Sequence, residues 1–216
     1  MARSGATIRY LLWDAGGTLF DSYPAKVTAI RVALRRCGAS APPARVRALL
    51  RESTGHTLRT LAADLDLEHD ALEACYRDIY HAIEARRQPP FPGVQRVCRY
   101  ILSSGGQNFI VTHRSRASLT ALLKAHAMTD LFADCITADD DYPRKPAPTS
   151  LLAMVARHDL DPAACLVIGD RDLDIEAGRR AGLRTCYYGD QPHTLAAALE
   201  VTEYAVLYDW LTDYIA

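Results

Sequence analysis

The sequence predicts an α/β fold: a Rossmann-like three-layer sandwich core with a parallel sheet, interrupted by an inserted small helical cap domain. Three observations lead there. From about residue 92 onward, short apolar runs alternate with helical segments, the pattern of a parallel sheet covered on both faces. Between residues 25 and 87 apolar residues recur only at helical spacing. One strand candidate, Ile8 to Trp13, precedes that helical stretch and ends at Asp14, with Gly16 and Gly17 just beyond.

Each element follows in order. Ile8 to Trp13 reads as a buried strand running into a tight turn. In the helical stretch, Ile30, Ala33 and Leu34 share one face, as do Leu72, Cys75, Tyr76, Ile79 and Ile83. Breaks are expected at Cys37 to Pro43 and at Ser53 to Gly55. The segment QPPFPG, residues 88–93, reads as an extended, hinge-like connector, because three prolines and a glycine suit neither helix nor sheet. After it, strands are expected at Asn108 to Thr112, Asp134 to Thr137, Cys165 to Ile168 and Arg184 to Tyr188. Helices are expected around 94–103, 115–127, 148–158 and 174–181. Tyr204 to Leu207 is expected to add a last strand before a C-terminal helix. The domains are thus 1–20 with 92–216 for the core, and 21–91 for the cap.

Bulk properties exclude several classes of function. The chain has 216 residues, 49% hydrophobic and 24% charged, with a formal net charge of −1. This is ordinary globular composition, without the electrostatic footprint of a nucleic-acid or membrane partner. The six cysteines include no CxxC pair, which favours buried thiols in a reducing compartment over a disulfide framework. No apolar stretch approaches the ~20 residues that span a bilayer, and the run Tyr10 to Trp13 is too short for a signal peptide. A cytoplasmic location is expected.

In a parallel α/β sheet, ligands bind beyond the carboxyl ends of the strands. Polar residues gather at those ends: Asp14, Thr112 with His113, Lys145 in the loop after the third strand, and Asp170 with Asp174. They occur in the segments DAGGTLFD, VTHR, RKP and IGDRDLD. Such a set suits phosphate chemistry. A phosphate monoester is an anion, so a carboxylate can attack it only where a cation and fixed donors neutralise the charge. Asp14, Asp170 and Asp174 offer a hard cation the oxygen ligands that Mg²⁺ prefers. Lys145 adds a point charge, Thr112 a hydroxyl donor. Gly17 and Thr18 open a turn whose N–H groups could cradle an anion. Lys145 is one of only three lysines in an arginine-rich chain.

In order and separation these segments resemble the four motifs of the haloacid dehalogenase superfamily, DxDGT, S/T, K-P and GDxxxD. More narrowly, they resemble the subclass with a helical cap inserted after the first motif, which includes phosphoglycolate phosphatase-like enzymes. The resemblance runs from Leu11 to about Gly182. It implies that Asp14 attacks phosphorus to give an aspartyl-phosphate, which water then hydrolyses. It also implies a Mg²⁺ cofactor held by Asp14, Asp170 and the backbone carbonyl of Gly16, with Asp174 in support through water. Gly17, Thr18, Thr112, His113 and Lys145 are the expected phosphate contacts. The cap is expected to open and close over the strand ends, with His56, in the turn Ser53 to Thr57, touching substrate.

The chain departs from the family pattern at Gly16, where the family's phosphatases carry an aspartate that protonates the leaving oxygen and later activates water. Three explanations compete. His113 or His56 takes over the acid–base work; the protein is a slow phosphatase or a catalytically silent phosphate-ligand binder; or the chemistry differs. Phosphonatases of the superfamily use a cap lysine, but the cap here has only Lys26, at the start of its first helix. The superfamily's dehalogenases usually lack the acidic fourth motif. DRDLD is not an EF-hand loop, since Ile175 and Ala181 stand where glycine and glutamate belong. Asp172 is expected outside the site, Asp139 to Asp141 as a solvated loop, and Tyr23, Lys26 and Arg59 as packing or surface residues. The expected function is Mg²⁺-dependent hydrolysis of a small phosphorylated metabolite; the alternative is a weak or inactive phosphate-ligand-binding relative.

Overall fold

The computed structural model describes residues 7–190 and 193–215. The chain divides into two compact units, Met1–Phe20 with Pro90–Ala216, and Asp21–Pro89.

The first unit is built on six parallel strands: β1 (Tyr10–Trp13), β2 (Gln107–Val111), β3 (Asp134–Ile136), β4 (Cys165–Gly169), β5 (Arg184–Tyr188) and β6 (Leu199–Val201), in the order β3-β2-β1-β4-β5-β6. The helices of this unit are α5 (Val94–Ser103), α6 (Arg116–Ala125), α7 (Thr149–Arg157), α8 (Asp172–Arg180) and α9 (Tyr204–Ile215), and the sheet carries helices on both faces. Side-chain alternation along the strands decides which residue meets which layer. Leu12, Phe109, Val111 and Val167 pack on one face with Leu151 and Met154 of α7 and Ala177 of α8. On the other, Trp13 meets Tyr204 of α9 edge-on at 5.7 Å. Buried Asn108 is satisfied there by Trp13 Nε1, which donates to its Oδ1, and by donation to the carbonyls of Cys98 and Leu131. After β1 the chain builds β2 and β3 on one side and returns with β4 on the other. The reversal falls beside β1, where Asp14 lies.

One expected strand is corrected. Tyr204 to Leu207 is the first turn of α9, and the sixth strand is Leu199–Val201. Four apolar residues cannot separate strand from buried helix. The deciding pattern is longer: Tyr204, Leu207 and Leu211 are all buried, a helical stripe at i, i+3 and i+7. Tyr204 also reaches the first motif, its hydroxyl donating to Thr18 O at 2.8 Å while its ring stacks on Tyr188 at 4.2 Å. Tyr204→Phe keeps the rings but removes a buried carbonyl's donor. It is expected to lower stability by about 1–3 kcal/mol, read as a shift of the urea midpoint with unchanged slope.

The second unit contains α1 (Tyr23–Arg36), α2 (Pro43–Leu50), α3 (Thr54–Asp64) and α4 (His69–His81), then a short 3₁₀ turn at Ala85–Arg87. Ile30, Ala33, Leu34, Val46, Leu58, Leu61 and Leu72 form its own core. No strand falls in it among the described residues. The anticipated turn Ser53 to Thr57 is the start of a helix instead. Ser53 caps α3, its Oγ accepting from His56 N–H at 2.9 Å, so Gly55 lies inside the first turn.

Candidate active site

Three carboxylates and one ammonium group meet at the carboxyl ends of β1, β2 and β4. Asp14 directly follows β1, and its N–H donates to Ile168 O of β4 at 2.9 Å. Thr112 follows β2, with its N–H bound to Ile136 O. Asp170 follows β4, and Asp174 is the third residue of α8, where the helix N-terminus favours negative charge. One oxygen from each of Asp14, Asp170 and Asp174 lies within 4.8 Å of the others. Lys145 enters from the loop between β3 and α7. Its Nζ donates to Asp14 Oδ1 at 2.7 Å, Asp174 Oδ1 at 2.5 Å and Val111 O at 3.0 Å, which uses all three of its protons. Asp14, Lys145 and Asp174 are 3%, 6% and 0% exposed, so these charges face one another with little water between them.

Two glycines make the convergence possible. Gly17 sits at φ +104°, and a Cβ there would lie 2.2 Å from Asp170 Oδ2. At Gly169 a Cβ would lie 2.2 Å from the Asp174 Cβ, so only glycine lets α8 pack this tightly on the end of β4. Gly17→Ala is expected to displace the Asp170 carboxylate and weaken divalent-cation affinity by about 10–100-fold, measured by calorimetric titration.

Electrostatics sort the charges. Burial alone would raise the Asp14 carboxyl, but Lys145 and Arg171 outweigh it and hold it below the ordinary range. Burial would likewise depress the Lys145 ammonium, but Asp14 and Asp174 keep it above its usual value. Burial raises Asp174. His113 is the opposite case: burial, then the nearby Lys145 charge, push it down to about 3. Its ring is therefore neutral, and its Nε2 accepts the Lys145 backbone N–H at 2.9 Å.

The arrangement fits a hard divalent cation. The donors are all oxygens, and Asp174 Oδ2 is buried with no hydrogen-bond partner, Arg171 Nε lying 3.9 Å away. A buried carboxylate oxygen left so is a ligand position in search of a cation.

Several expected contacts take other forms. Gly17 N–H closes its own turn on Phe20 O at 2.9 Å, so its part is the close approach to Asp170 and not an anion-cradling donor. The Thr18 hydroxyl donates to Asp170 Oδ1 at 3.0 Å. Thr112 Oγ1 accepts from Arg114 N–H at 3.3 Å. His113 steadies the Lys145 loop through Nε2, and that nitrogen is an acceptor and not a phosphate donor. Gly16 is buried in the turn after Asp14 and bridges to Phe20. His56 belongs to the helical unit, where its ring nitrogens meet Glu52 at 2.9 Å and Thr60 at 3.3 Å. Asp172 accepts from Thr194 and Leu195. Asp140 accepts from Thr137 and Arg116, so the acidic loop is an internally bonded turn.

Sequence reasoning missed Arg171 and Tyr204. Arg171 stood inside IGDRDLD, between two nominated aspartates, and a cation there was the available signal. Tyr204 carried none.

Known proteins resemble most of the chain. Residues 8–182 match the family model of haloacid dehalogenase-like hydrolases. A protein of Caulobacter vibrioides named phosphoglycolate phosphatase is 32% identical over 212 residues, covering 92% of this chain and 87% of that protein. One of the same name from Nitrosospira multiformis is 28% identical over 183 residues, covering 81% and 80%. The crystal structure of a predicted phosphoglycolate phosphatase from Haemophilus somnus shares the fold, with a TM-score of 0.81 at 16% identity over 94% of this chain and 97% of that one. Among the described residues no helix is long and apolar enough to cross a membrane.

Proposed function

The chain belongs to the haloacid dehalogenase-like hydrolase family, and from that premise we propose that it is a Mg²⁺-dependent phosphohydrolase of a small phosphorylated metabolite, with Asp14 as nucleophile. The observation that carries this reading is the meeting of Asp14, Asp170 and Asp174, with the Lys145 ammonium bound to Asp14 and Asp174. Asp14, Asp170, Asp174 and the carbonyl of Gly16 would hold Mg²⁺. When bound, the cation neutralises phosphoryl charge and orients the ester for in-line attack.

The chain's own residues do the rest. Lys145 holds Asp14 Oδ1, which fixes the carboxylate's rotamer and keeps it ionised. The other oxygen forms the bond to phosphorus as the bond to the leaving oxygen breaks. Lys145 also offsets the negative charge that gathers as the phosphate anion approaches a carboxylate. The Thr112 hydroxyl donates to a phosphoryl oxygen, and His113 keeps the Lys145 backbone in place. Water then attacks the aspartyl-phosphate and releases inorganic phosphate.

Purified protein with Mg²⁺ should release phosphate from acetyl phosphate or p-nitrophenyl phosphate, and chelation should stop it. Phosphoglycolate, the substrate in the names of the bacterial relatives, belongs on the metabolite panel. Gly16 favours a second reading, a phosphate-ligand binder with little or no turnover, because it brings no side chain to the reacting centre. That reading wins if wild type and Asp14→Asn are equally inactive across the panel while a phosphorylated compound still binds.

A further inference from the structure

We propose that the core unit is built for acyl phosphates, mixed carboxylic–phosphoric anhydrides whose leaving group departs without a proton. This rests on the phosphohydrolase reading above and names its substrate class.

The inference comes from a census of proton donors around Asp14. In-line attack places the leaving oxygen on the far side of phosphorus from the nucleophile, and an alkoxide leaving there needs a proton. Lys145 has all three protons committed to Asp14, Asp174 and Val111 O. Asp174 is wholly buried and accepts from Lys145. The Thr18 hydroxyl donates to Asp170, and the Tyr204 hydroxyl to Thr18 O. Arg171 is a guanidinium, which does not give up its proton at any ordinary pH. His113 is the one imidazole of VTHR, and because its Nε2 accepts the Lys145 N–H, its only proton is on Nδ1. Losing that proton would leave an imidazolate, so the ring is no acid. Gly16 and Gly17, two and three residues after the nucleophile, carry no side chain at all. The Thr112 hydroxyl, which accepts from Arg114 N–H, gives its one proton to a phosphoryl oxygen in the reading above, so among the described residues of this unit no group near Asp14 is left to protonate a leaving oxygen.

An acyl phosphate needs none. A bond forms from an Asp14 oxygen to phosphorus, the bond from phosphorus to the acyl oxygen breaks, and the carboxylate leaves with the electron pair. Water then attacks phosphorus, the bond from phosphorus to the Asp14 oxygen breaks with its electron pair returning to the carboxylate, the water's proton goes to solvent, and inorganic phosphate departs.

The test is a leaving-group series on the whole protein with Mg²⁺: acetyl, p-nitrophenyl, phenyl and a simple alkyl phosphate, compared by kcat/KM. The expected result is a steep fall along that order, about 10²–10⁴ from acetyl to alkyl, the usual worth of general acid catalysis. Acid-quenched protein should gain one phosphoryl group on Asp14 from acetyl phosphate and none from the alkyl ester, read by mass spectrometry. His113→Ala should lower every substrate by a similar factor and leave the slope unaltered. An alkyl ester turned over within tenfold of acetyl phosphate would overturn the proposal, as would a His113→Ala loss confined to alkyl esters. Inactivity of wild type and Asp14→Asn alike on the whole series would instead overturn the phosphohydrolase reading beneath it.

Discussion

Lys145→Met is expected to destabilise the protein, without added metal at neutral pH, by about 3–5 kcal/mol, the usual result of removing one partner from a buried ion pair. In a chain of this size that is roughly 6–20 °C in Tm. Methionine keeps the stem's packing but leaves Asp14 and Asp174 buried without their shared cation, and Val111 O without its donor. The loss should depend on pH in a definite sense. In the wild type Asp14 lies below its ordinary pKa, so it contributes stability above that value and loses the contribution as pH falls. Without Lys145, burial would raise both carboxyls, so the variant would be penalised as pH rises through the raised values. Both effects make the stability gap shrink on acidification. Asp174→Asn added to Lys145→Met should recover part of the loss, a coupling that a double-mutant cycle isolates. A variant as stable as its parent at pH 7 would mean that the ammonium is not what allows these carboxylates to sit together.

Asp14→Asn should remove phosphate release altogether, with a fall on the order of 10⁴–10⁶ in kcat, the scale set by losing a covalent nucleophile. The fold should survive. Asparagine keeps the shape and an acceptor for Lys145, and Lys145 retains Asp174 and Val111 O. The stability that ionised Asp14 contributes is lost, but Lys145 keeps Asp174 as a counter-charge, so Tm measured without metal should fall far less than in Lys145→Met. This combination separates a chemical role from a structural one. Phosphate release within tenfold of the wild type would place the nucleophile elsewhere.

The two variants probe a site that was only partly visible in one dimension. Alternating apolar runs and helical segments sufficed for the parallel sheet and for five of its six strands, because burial on both faces demands short, mostly apolar runs. The sixth strand escaped because Glu200 interrupts Leu199–Val201 and leaves no continuous apolar run to mark it. The apolar start of α9 drew the strand assignment in its place. The strand-end residues could be picked out because topology obliges ligand chemistry to that edge of the sheet, and because a carboxylate beside glycines is costly to keep there without use.

What local pattern could not hold is which atom meets which. Lys145 lies 131 residues from Asp14, and Tyr204 lies 186 residues from Thr18. Composition and order determined the fold class, the helical insertion and the cast of polar residues. Only the tertiary structure decided that Gly17 makes room for Asp170, that His113 is a neutral acceptor, and that one ammonium serves two carboxylates. The reason is that packing distances and proton positions are set by chain segments brought together from afar, and a periodicity of two or 3.6 residues carries no record of them.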